Sequence, residues 1–251
     1  MYKDLGGKKM VEVLNLTKQF KKVQAVDHIS FSVKKGEILG LLGENGAGKT
    51  TTLRMIATML KPTDGDCIIS GHSIKKEPEK VRGEIGILFG GEVGLYDRLT
   101  ARENIMYFAE LNGMNEAKAK ESVEYLTKML QMEEFIDRKV GKFSRGMKQK
   151  VAIARSIVHK PSVMLFDEPT IGLDVTASKV VQDFILKCKA EEKAIVFSSH
   201  SMVEVEKLCD RIVIVHKGKL IEEGTVASLK VKYNNDDIES IFMSLVGDKH
   251  E

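Results

Sequence analysis

Two kinds of hydrophobic segment occur along the chain. Residues 11–16 and 29–33 alternate apolar with polar side chains, which is the pattern of strands solvated on one face. Residues 38–42, 163–166 and 194–197 are short continuous apolar runs, which are typical of parallel strands covered by helices on both faces. Together these segments predict an α/β core with an antiparallel layer at its edge.

Helical periodicity replaces the strand pattern in two other regions. Between about 101 and 139, apolar residues recur at helical spacing on either side of an Asn112-Gly113 break, which predicts a helical lobe inserted between strands. From about 225 onward a second stripe predicts a short terminal amphipathic helix. The apolar positions are Ile105, Phe108, Leu111, Val123, Leu126, Met129 and Leu130 in the lobe and Ile238, Ile241, Phe242 and Leu245 in the tail.

Length, charge and cysteine usage exclude several classes of protein. The 251 residues fit one large domain, or one domain with a smaller lobe. A net charge of +3 is far from the excess expected of a protein that coats nucleic acid, so no nucleic acid partner is expected. No apolar run approaches about 18 residues and the start lacks a signal-peptide core, which predicts a cytoplasmic protein. Cys67, Cys188 and Cys209 have no metal-ligand spacing, so we expect buried free thiols.

A phosphate-binding loop is the strongest motif in the chain. Residues 43–50 match G-x-x-x-x-G-K-[ST] between an apolar strand and a helix-like segment. Glycines let the backbone wrap around phosphates, so that amide N–H groups and the positive end of the helix face them. Lys49 is expected to reach the terminal phosphates, and Thr50 to ligate Mg²⁺. The predicted nucleotide-binding residues are Gly43, Asn45, Gly46, Gly48, Lys49, Thr50 and Thr51.

Two carboxylates end the buried run at 163–166. Asp167 and Glu168 stand where the carboxyl ends of parallel strands open onto the ligand crevice of a doubly wound sheet. Asp167 is expected to hold Mg²⁺, directly or through water. Glu168 is expected to orient and polarise a water that attacks the γ-phosphate; the alternative is a solvated acid that caps the next helix.

A third motif identifies a family. Residues 143–150, Phe-Ser-Arg-Gly-Met-Lys-Gln-Lys, resemble the signature sequence of ABC-type ATPases. Ser144 and Gly146 then stand at a helix N-terminus, where a hydroxyl and amides can clasp a γ-phosphate. The resemblance implies that this site caps the ATP held by a second subunit, so that hydrolysis requires a dimer.

Other positions follow the family order. Asp174, after Asp167-Glu168-Pro169-Thr170, resembles the D-loop residue that communicates across the dimer. His200, after an apolar strand, matches the switch histidine that contacts the γ-phosphate and holds the catalytic glutamate and water. Phe20 resembles the aromatic residue that stacks on adenine, although its position fits a core residue equally well.

One position departs from the family pattern. Most members have a glutamine after the strand at 85–89, where it touches Mg²⁺ and the water, but this chain reads Gly90-Gly91-Glu92. Either Glu92 supplies an oxygen ligand or water completes the metal shell. We favour water, because a further carboxylate beside Asp167 and Glu168 would add negative charge around the ion.

The resemblance implies both a fold and a function. The fold is the α/β P-loop NTPase fold of ABC nucleotide-binding domains, with an antiparallel β subdomain and an inserted helical subdomain at about 91–160. We expect this ATPase domain over residues 1–225 and a short helical tail over 226–251. The chain resembles ATP-binding subunits of ABC-2 exporters, and among them sodium-extruding Nat-type subunits.

Such a subunit binds ATP and Mg²⁺, forms a homodimer or heterodimer of ATPase subunits and drives a separately encoded integral membrane permease. It is peripheral on the inner face of the cell membrane. Export of drugs or polysaccharides remains open. The alternative function is an ABC-type ATPase that remodels a soluble partner, as in Fe–S assembly.

Overall fold

The computed structural model describes residues 7–90 and 94–247. Gly91 and Glu92, like residues 1–6, lie outside the described residues. Within the described ranges the chain forms ten strands. Their bounds are β1 (Lys9–Phe20), β2 (Val23–Lys34), β3 (Ile38–Leu42), β4 (Asp64–Ile69), β5 (His72–Ser73), β6 (Ile85–Phe89), β7 (Val163–Asp167), β8 (Ala194–Ser199), β9 (Arg211–His216) and β10 (Lys219–Gly224).

Helices follow or connect these strands. Six of them begin at a Ser, Thr, Asn or Asp whose side chain accepts a first-turn amide hydrogen bond, which is the usual way to satisfy a helix N-terminus. The capping residues are Thr100, Asn115, Ser144, Asp174, Ser201 and Thr225. The helices in the described ranges are α1 (Lys49–Ile56), α2 (Pro78–Glu84), α3 (Ala101–Leu111), α4 (Glu116–Met129), α5 (Arg145–Ile157), α6 (Val175–Ala190), α7 (Met202–Leu208), α8 (Val226–Tyr233) and α9 (Ile238–Gly247).

The strands form two sheets. An antiparallel sheet has the order β2-β1-β4-β5, and a six-stranded sheet has the order β10-β9-β3-β8-β7-β6. In the six-stranded sheet β9, β3, β8, β7 and β6 are parallel, while β10 pairs antiparallel with β9. Every residue of β3, β7 and β8 is buried, which confirms the central strands predicted from the continuous apolar runs.

The central sheet separates two hydrophobic clusters. One cluster fills the space between this sheet, the antiparallel sheet and α1, and includes Leu39, Leu41 and Leu53. The other joins the opposite face of the sheet to the helical lobe and the tail, and includes Ile38 and Leu42. Neighbouring residues of β3 therefore pack into different clusters, as the alternation of side chains along a strand requires.

The helical lobe and the tail both pack on the second cluster. Helices α3 and α4 lie between β6 and β7 in the chain and contact each other and α5, which confirms an inserted helical region. In the tail, α9 buries Ile238, Ile241, Phe242 and Val246, whereas Leu245 of the predicted stripe is only half-buried. Among the described residues, no helix has the length and apolar character that crossing a membrane would require.

All three cysteines are free thiols, as predicted, but their burial differs. Cys67 and Cys188 are buried, whereas Cys209 is half-buried. Burial raises the pKa of the Cys188 thiol to about 12. It also raises the pKa of Cys67 and that of Cys209 well above the usual range for a thiol. The thiolate, which is the reactive form of cysteine, is therefore disfavoured at all three positions.

Candidate active site

The phosphate-binding loop joins β3 to α1 and depends on two glycines without space for a side chain. Gly48 has φ 108°, and a Cβ there would lie 2.5 Å from the Ala25 carbonyl oxygen. A Cβ at Gly43 would lie 2.4 Å from the Val215 carbonyl oxygen. Substitution of Gly43 or Gly48 would therefore shift the loop backbone. Asn45 and Gly46, at the tip of the loop, are exposed.

The N-terminus of α1 is left open. Its N-cap is Gly48, which offers no side-chain hydrogen bond, and no acidic residue lies in the first turn. By contrast, α3 and α6 are capped by Thr100 and Asp174. The first-turn amides of α1, which include those of Thr50 and Thr51, thus face no local anion, and an uncapped helix N-terminus after a glycine-rich loop fits the phosphates of a nucleotide.

Lys49 lies across this loop. Its Nζ donates hydrogen bonds to the carbonyl oxygens of Gly43 at 2.7 Å and Glu44 at 3.1 Å. The side chain is only 4% exposed, and Nζ lies 3.6 Å from Oε1 of Glu168. A buried ammonium group is therefore aimed from the loop toward the carboxylates at the end of β7.

Asp167 and Glu168 are held by the neighbouring strand. Asp167 ends β7, is 7% exposed, and accepts a hydrogen bond from the Ser198 hydroxyl at 2.6 Å. The Glu168 amide donates to the same hydroxyl at 3.1 Å. Glu168 has φ 47°, a left-handed conformation that costs a non-glycine residue about 1 to 3 kcal/mol and occurs preferentially at functional sites.

His200 completes a cluster around Glu168. Its Nδ1 lies 3.4 Å from Oε2 of Glu168, and its side chain is 56% exposed. The two Glu168 oxygens therefore face different partners, Lys49 on one side and His200 on the other. Three predicted site residues from distant parts of the chain meet here, at the carboxyl ends of parallel strands.

The residues present fit a magnesium ion that is shared with a nucleotide. Within residues 7–90 and 94–247, no cluster of three or more His, Cys, Asp or Glu side chains could form a complete metal site. Mg²⁺ is usually bound by one or two carboxylates together with substrate phosphates. Asp167 at a strand end and the Thr50 hydroxyl in the first turn of α1 match that donor set.

The signature residues lie apart from this cluster. Ser144 caps α5, and its hydroxyl accepts the Met147 amide at 3.2 Å. In the part of the chain that the structure describes, no hydrogen bond or ion pair joins Ser144 or Gly146 to Lys49, Glu168 or His200.

Phe20 and Asp174 have simple local environments. Phe20 ends β1, its side chain is 45% exposed, and Lys18 Nζ lies 5.1 Å from its ring centroid. The ring is therefore available as a stacking surface and does not belong to the core. Asp174 caps α6 through a 2.8 Å hydrogen bond from the Ala177 amide.

Sequence reasoning missed Gly90 and Arg145. The Gly90 amide donates to the Asp167 carbonyl oxygen at 2.7 Å, and a Cβ at Gly90 would lie 2.1 Å from the carbonyl oxygen of Glu168. The missing glutamine at this point of the chain was the available signal. Arg145 Nη2 donates to the Ile171 carbonyl oxygen at 3.0 Å, which ties the start of α5 to the loop after Glu168.

A groove separates the core from the helical lobe. It has a volume of about 660 Å³ and lies between the end of α1, α2 and β6 on one side and α3 and α5 on the other. Met59 and Leu111, on opposite walls, are 63% and 62% exposed. Arg155 lies in the groove, donates to the Gly94 carbonyl oxygen at 2.7 Å and stacks over Phe108.

Comparisons with known proteins identify relatives over nearly the whole chain. A family model described as ABC transporter matches residues 26–171. The chain is 47% identical over 239 residues to the ABC transporter ATP-binding protein NatA of Bacillus subtilis, covering 94% of this chain and 97% of that protein. It is 39% identical to the bacitracin transport ATP-binding protein BcrA of Bacillus licheniformis, covering 88% of this chain and 71% of that protein.

Solved structures have the same fold. One, described as the ATP-binding subunit of an ABC transporter, has a TM-score of 0.85 and 28% identity and covers 94% of this chain and 99% of its own. Another is a dimeric post-hydrolysis state of an ATP-binding cassette bound to ADP and Pi. It has a TM-score of 0.77 and 27% identity and covers 86% of this chain and 98% of its own.

Proposed function

The chain belongs to the ABC transporter family of ATP-binding proteins and carries its ATPase domain, and from this membership we propose that it hydrolyses ATP as a dimer to drive a membrane permease. The observation that carries the proposal is the cluster of Lys49, Glu168 and His200 beside an uncapped helix N-terminus. The family membership supplies the reaction, and the cluster supplies a role for each residue.

Nucleotide binding uses the open loop and its lysine. The Lys49 ammonium group, which donates to two loop carbonyls, would exchange them for phosphate oxygens. The amides of residues 46–51 would bind the phosphate chain, and the Phe20 ring would stack on adenine. Mg²⁺ held by Asp167 and Thr50 would neutralise charge on the phosphate oxygens.

Glu168 acts as the general base of hydrolysis in this proposal. Lys49 at 3.6 Å and His200 at 3.4 Å hold one carboxylate oxygen each. From there the carboxylate orients a water and accepts its proton as the water oxygen attacks the γ-phosphate and the bond to the leaving ADP breaks. His200 holds the carboxylate in the orientation that this transfer needs.

The dimer in this proposal places the signature of one subunit on the nucleotide of the other. Within the described residues, no hydrogen bond or ion pair joins Ser144 or Gly146 to the Lys49 cluster, and in this proposal they bind the γ-phosphate of the ATP held by a second subunit. A dimeric relative bound to ADP and Pi supports this arrangement. The protein forms either a homodimer or a heterodimer with a similar subunit, and Asp174 would lie near the contact.

The groove is the docking site for the permease in this proposal. Its rim residues Met59 and Leu111 are apolar and exposed on opposite walls of one groove, where an apolar face of a partner would contact both. In this proposal a short cytoplasmic helix of the permease occupies the groove of about 660 Å³ between core and lobe. The protein would then be peripheral on the inner face of the cell membrane.

Sodium is the solute that we propose. The support is the resemblance to sodium-extruding Nat-type subunits together with 47% identity to the protein named NatA. Relatives named for bacitracin transport and linearmycin resistance are less similar, at 39% and 36% identity. The same relatives give no support to the alternative of a soluble partner remodelled as in Fe–S assembly.

The first test substitutes the general base. We expect Glu168→Gln to bind ATP and to hydrolyse it at least about a hundredfold more slowly, because the amide cannot accept the proton. With hydrolysis blocked, the ATP-bound protein should elute as a dimer in gel filtration. The matched control is Glu192→Gln, since Glu192 is a surface residue paired with Lys35; its turnover should equal that of the unmodified protein. Near-normal turnover of Glu168→Gln would contradict the proposal.

A further inference from the structure

His200 is half-exposed, yet the residues on either side of it are fixed by hydrogen bonds. The Ser199 hydroxyl accepts the Ser201 amide at 3.0 Å and donates to Oε2 of Glu204 at 3.0 Å. The Ser201 hydroxyl accepts the Glu204 amide at 3.4 Å. Glu204 therefore contacts both neighbours of His200, one through its side chain and one through its backbone.

The Glu204 side chain is diverted from the usual role of its position. Glu204 is the third residue of α7, and a glutamate there usually accepts the amide of the N-cap residue. Glu103 does so in α3, where its Oε2 accepts the Thr100 amide at 2.7 Å. In α7 the Ser199 hydroxyl has taken the N-cap amide, which leaves the Glu204 carboxylate free to point away from its own helix terminus.

The diverted carboxylate reaches the loop that follows Glu168. Its Oε2 accepts the Thr170 hydroxyl at 3.0 Å, in addition to that of Ser199. Its Oε1 accepts the Gln182 amide nitrogen of α6 at 3.2 Å, and the Gln182 carbonyl oxygen accepts Lys207 Nζ at 2.7 Å. The Lys207 contact fixes the orientation of the Gln182 amide, so that its NH₂ group faces the carboxylate.

We propose that Glu204 is a positioning residue for hydrolysis. One carboxylate oxygen joins Thr170, two residues after Glu168, to Ser199, one residue before His200. It thereby sets the separation of the two segments that carry Glu168 and His200, whose side chains meet at 3.4 Å. This inference rests on the roles proposed above for Glu168 and His200, and it adds the residue that keeps their side chains at this distance.

A carboxylate suits this position better than an amide. Three donors converge on its two oxygens, which together offer about four acceptor sites. In Glu204→Gln, one oxygen becomes an NH₂ group that faces either two hydroxyls or the NH₂ group of Gln182. The hydroxyls can rotate, whereas the Gln182 amide is held by Lys207. We therefore expect Glu204→Gln to retain part of the function that Glu204→Ala loses.

The chain offers a matched control two residues away. Glu206 lies on the same helix, and its carboxylate pairs with Lys230 at the surface, at 2.6 Å. Glu206→Ala removes the same kind of side chain from α7 without touching either catalytic segment. Glu204→Ala and Glu206→Ala are compared as full chains at saturating Mg²⁺. The measurements are the turnover number, the KM for ATP, the equilibrium affinity for ATP and the midpoint of urea unfolding.

We expect Glu204→Ala to lower the turnover number about tenfold to a hundredfold, the range that follows from misplacing a catalytic group. ATP affinity should remain within about twofold, because the phosphate loop is not in the network. The turnover number of Glu204→Gln should fall between those of Glu204→Ala and the unmodified protein. Glu206→Ala should have the turnover number of the unmodified protein. Adding Thr170→Val to Glu204→Ala should lower turnover no further, because the Thr170 hydroxyl has then already lost the carboxylate that accepts its hydrogen bond.

Two outcomes would overturn the inference. One is a Glu204→Ala turnover equal to that of Glu206→Ala. The other is a loss of turnover that is matched by equal losses in ATP affinity and unfolding midpoint, which would indicate a purely structural role. Glu168→Gln is assayed alongside: if it keeps its turnover, the proposed function fails, whereas if it alone is inactive, only the role of Glu204 fails.

Discussion

At the scale of single residues, Gly90 shows how closely the loop after β6 approaches Glu168, the proposed general base. Gly90→Ala would introduce a Cβ 2.1 Å from the Glu168 carbonyl oxygen, and Glu168 already has a strained left-handed backbone. We expect the backbone of Glu168 to shift, turnover to fall at least about tenfold, and the free energy of unfolding to fall by about 1 to 3 kcal/mol.

Gly83→Ala is the control for this substitution. Gly83 lies in α2, and a Cβ there would meet no atom within 4 Å. Replacing a helical glycine of this kind should leave turnover unchanged and stabilise the protein by about 0.5 to 1 kcal/mol. Turnover assays and urea unfolding measure these differences between Gly90→Ala and Gly83→Ala. Equal behaviour of the two alanine variants would show that the close contact at Gly90 has no part in positioning Glu168.

Sequence motifs located the side chains around Glu168 but not the contacts that hold them. Lys49, Asp167 and His200 each follow a strand at a recognisable spacing, so their convergence at one sheet edge was predictable. Glu204 has no such signal. Its contact with Thr170 spans 34 positions and depends on which hydrogen bond its side chain makes at the start of α7. A sequence pattern does not specify that choice, because a local capping bond was equally available.

At the scale of elements, α9 is attached to the molecule by one apolar face. Phe242 is 6% exposed and belongs to the cluster that also contains Leu208 of α7, whereas Met243, one position later, is 57% exposed. Phe242→Ala should lower the free energy of unfolding by about 3 to 5 kcal/mol, the usual range for a buried phenylalanine. Met243→Ala should change it by less than about 0.5 kcal/mol.

Urea denaturation of the two variants measures this difference, since the midpoint reports stability at constant slope. Similar small changes would mean that α9 does not share the core of the ATPase domain. A large effect of Phe242→Ala with a shallower slope would instead indicate that α9 detaches before the rest of the chain unfolds.

The type of each element was more predictable from sequence than which of its residues face the core. Continuous apolar runs marked β3, β7 and β8, because strands covered on both sides need no polar positions. In the tail, Leu245 and Val246 are consecutive apolar residues about 100° apart around the helix, and periodicity alone does not decide which of them faces the core. The structure buries Val246 and leaves Leu245 half-buried, since the neighbouring helices determine where the contact ends.

At the scale of the whole molecule, the groove between core and lobe lies beside elements that contact Glu168. β6 lies in the groove wall and leads into Gly90, which contacts the backbone of Glu168. Arg155 links the groove to the far side of the same loop through the Gly94 carbonyl oxygen. A partner seated in the groove would therefore touch elements that contact the general base, which is the coupling a transporter subunit requires.

This coupling predicts that a groove variant loses its membrane partner and keeps its ATPase activity. Leu111→Asp places a charge on the exposed apolar rim, where a docked helix would have to desolvate it. Val231→Asp is the control, because Val231 is 82% exposed on α8 and does not line the groove. Tagged Glu168→Gln protein, with or without each substitution, is incubated with ATP and detergent-solubilised membranes of its source. Mass spectrometry then identifies what co-purifies.

We expect a protein with several membrane spans to co-purify with the parent and with Val231→Asp, and to be lost with Leu111→Asp. Without the Glu168→Gln change, Leu111→Asp should hydrolyse ATP at the normal rate in isolation, because Leu111 lies on the lobe and not among the residues that hold phosphate. If Leu111→Asp retains the membrane protein, the docking surface does not include Leu111. A soluble protein captured by all three would favour the remodelling alternative, since the same ATPase cycle would then act on a partner outside the membrane.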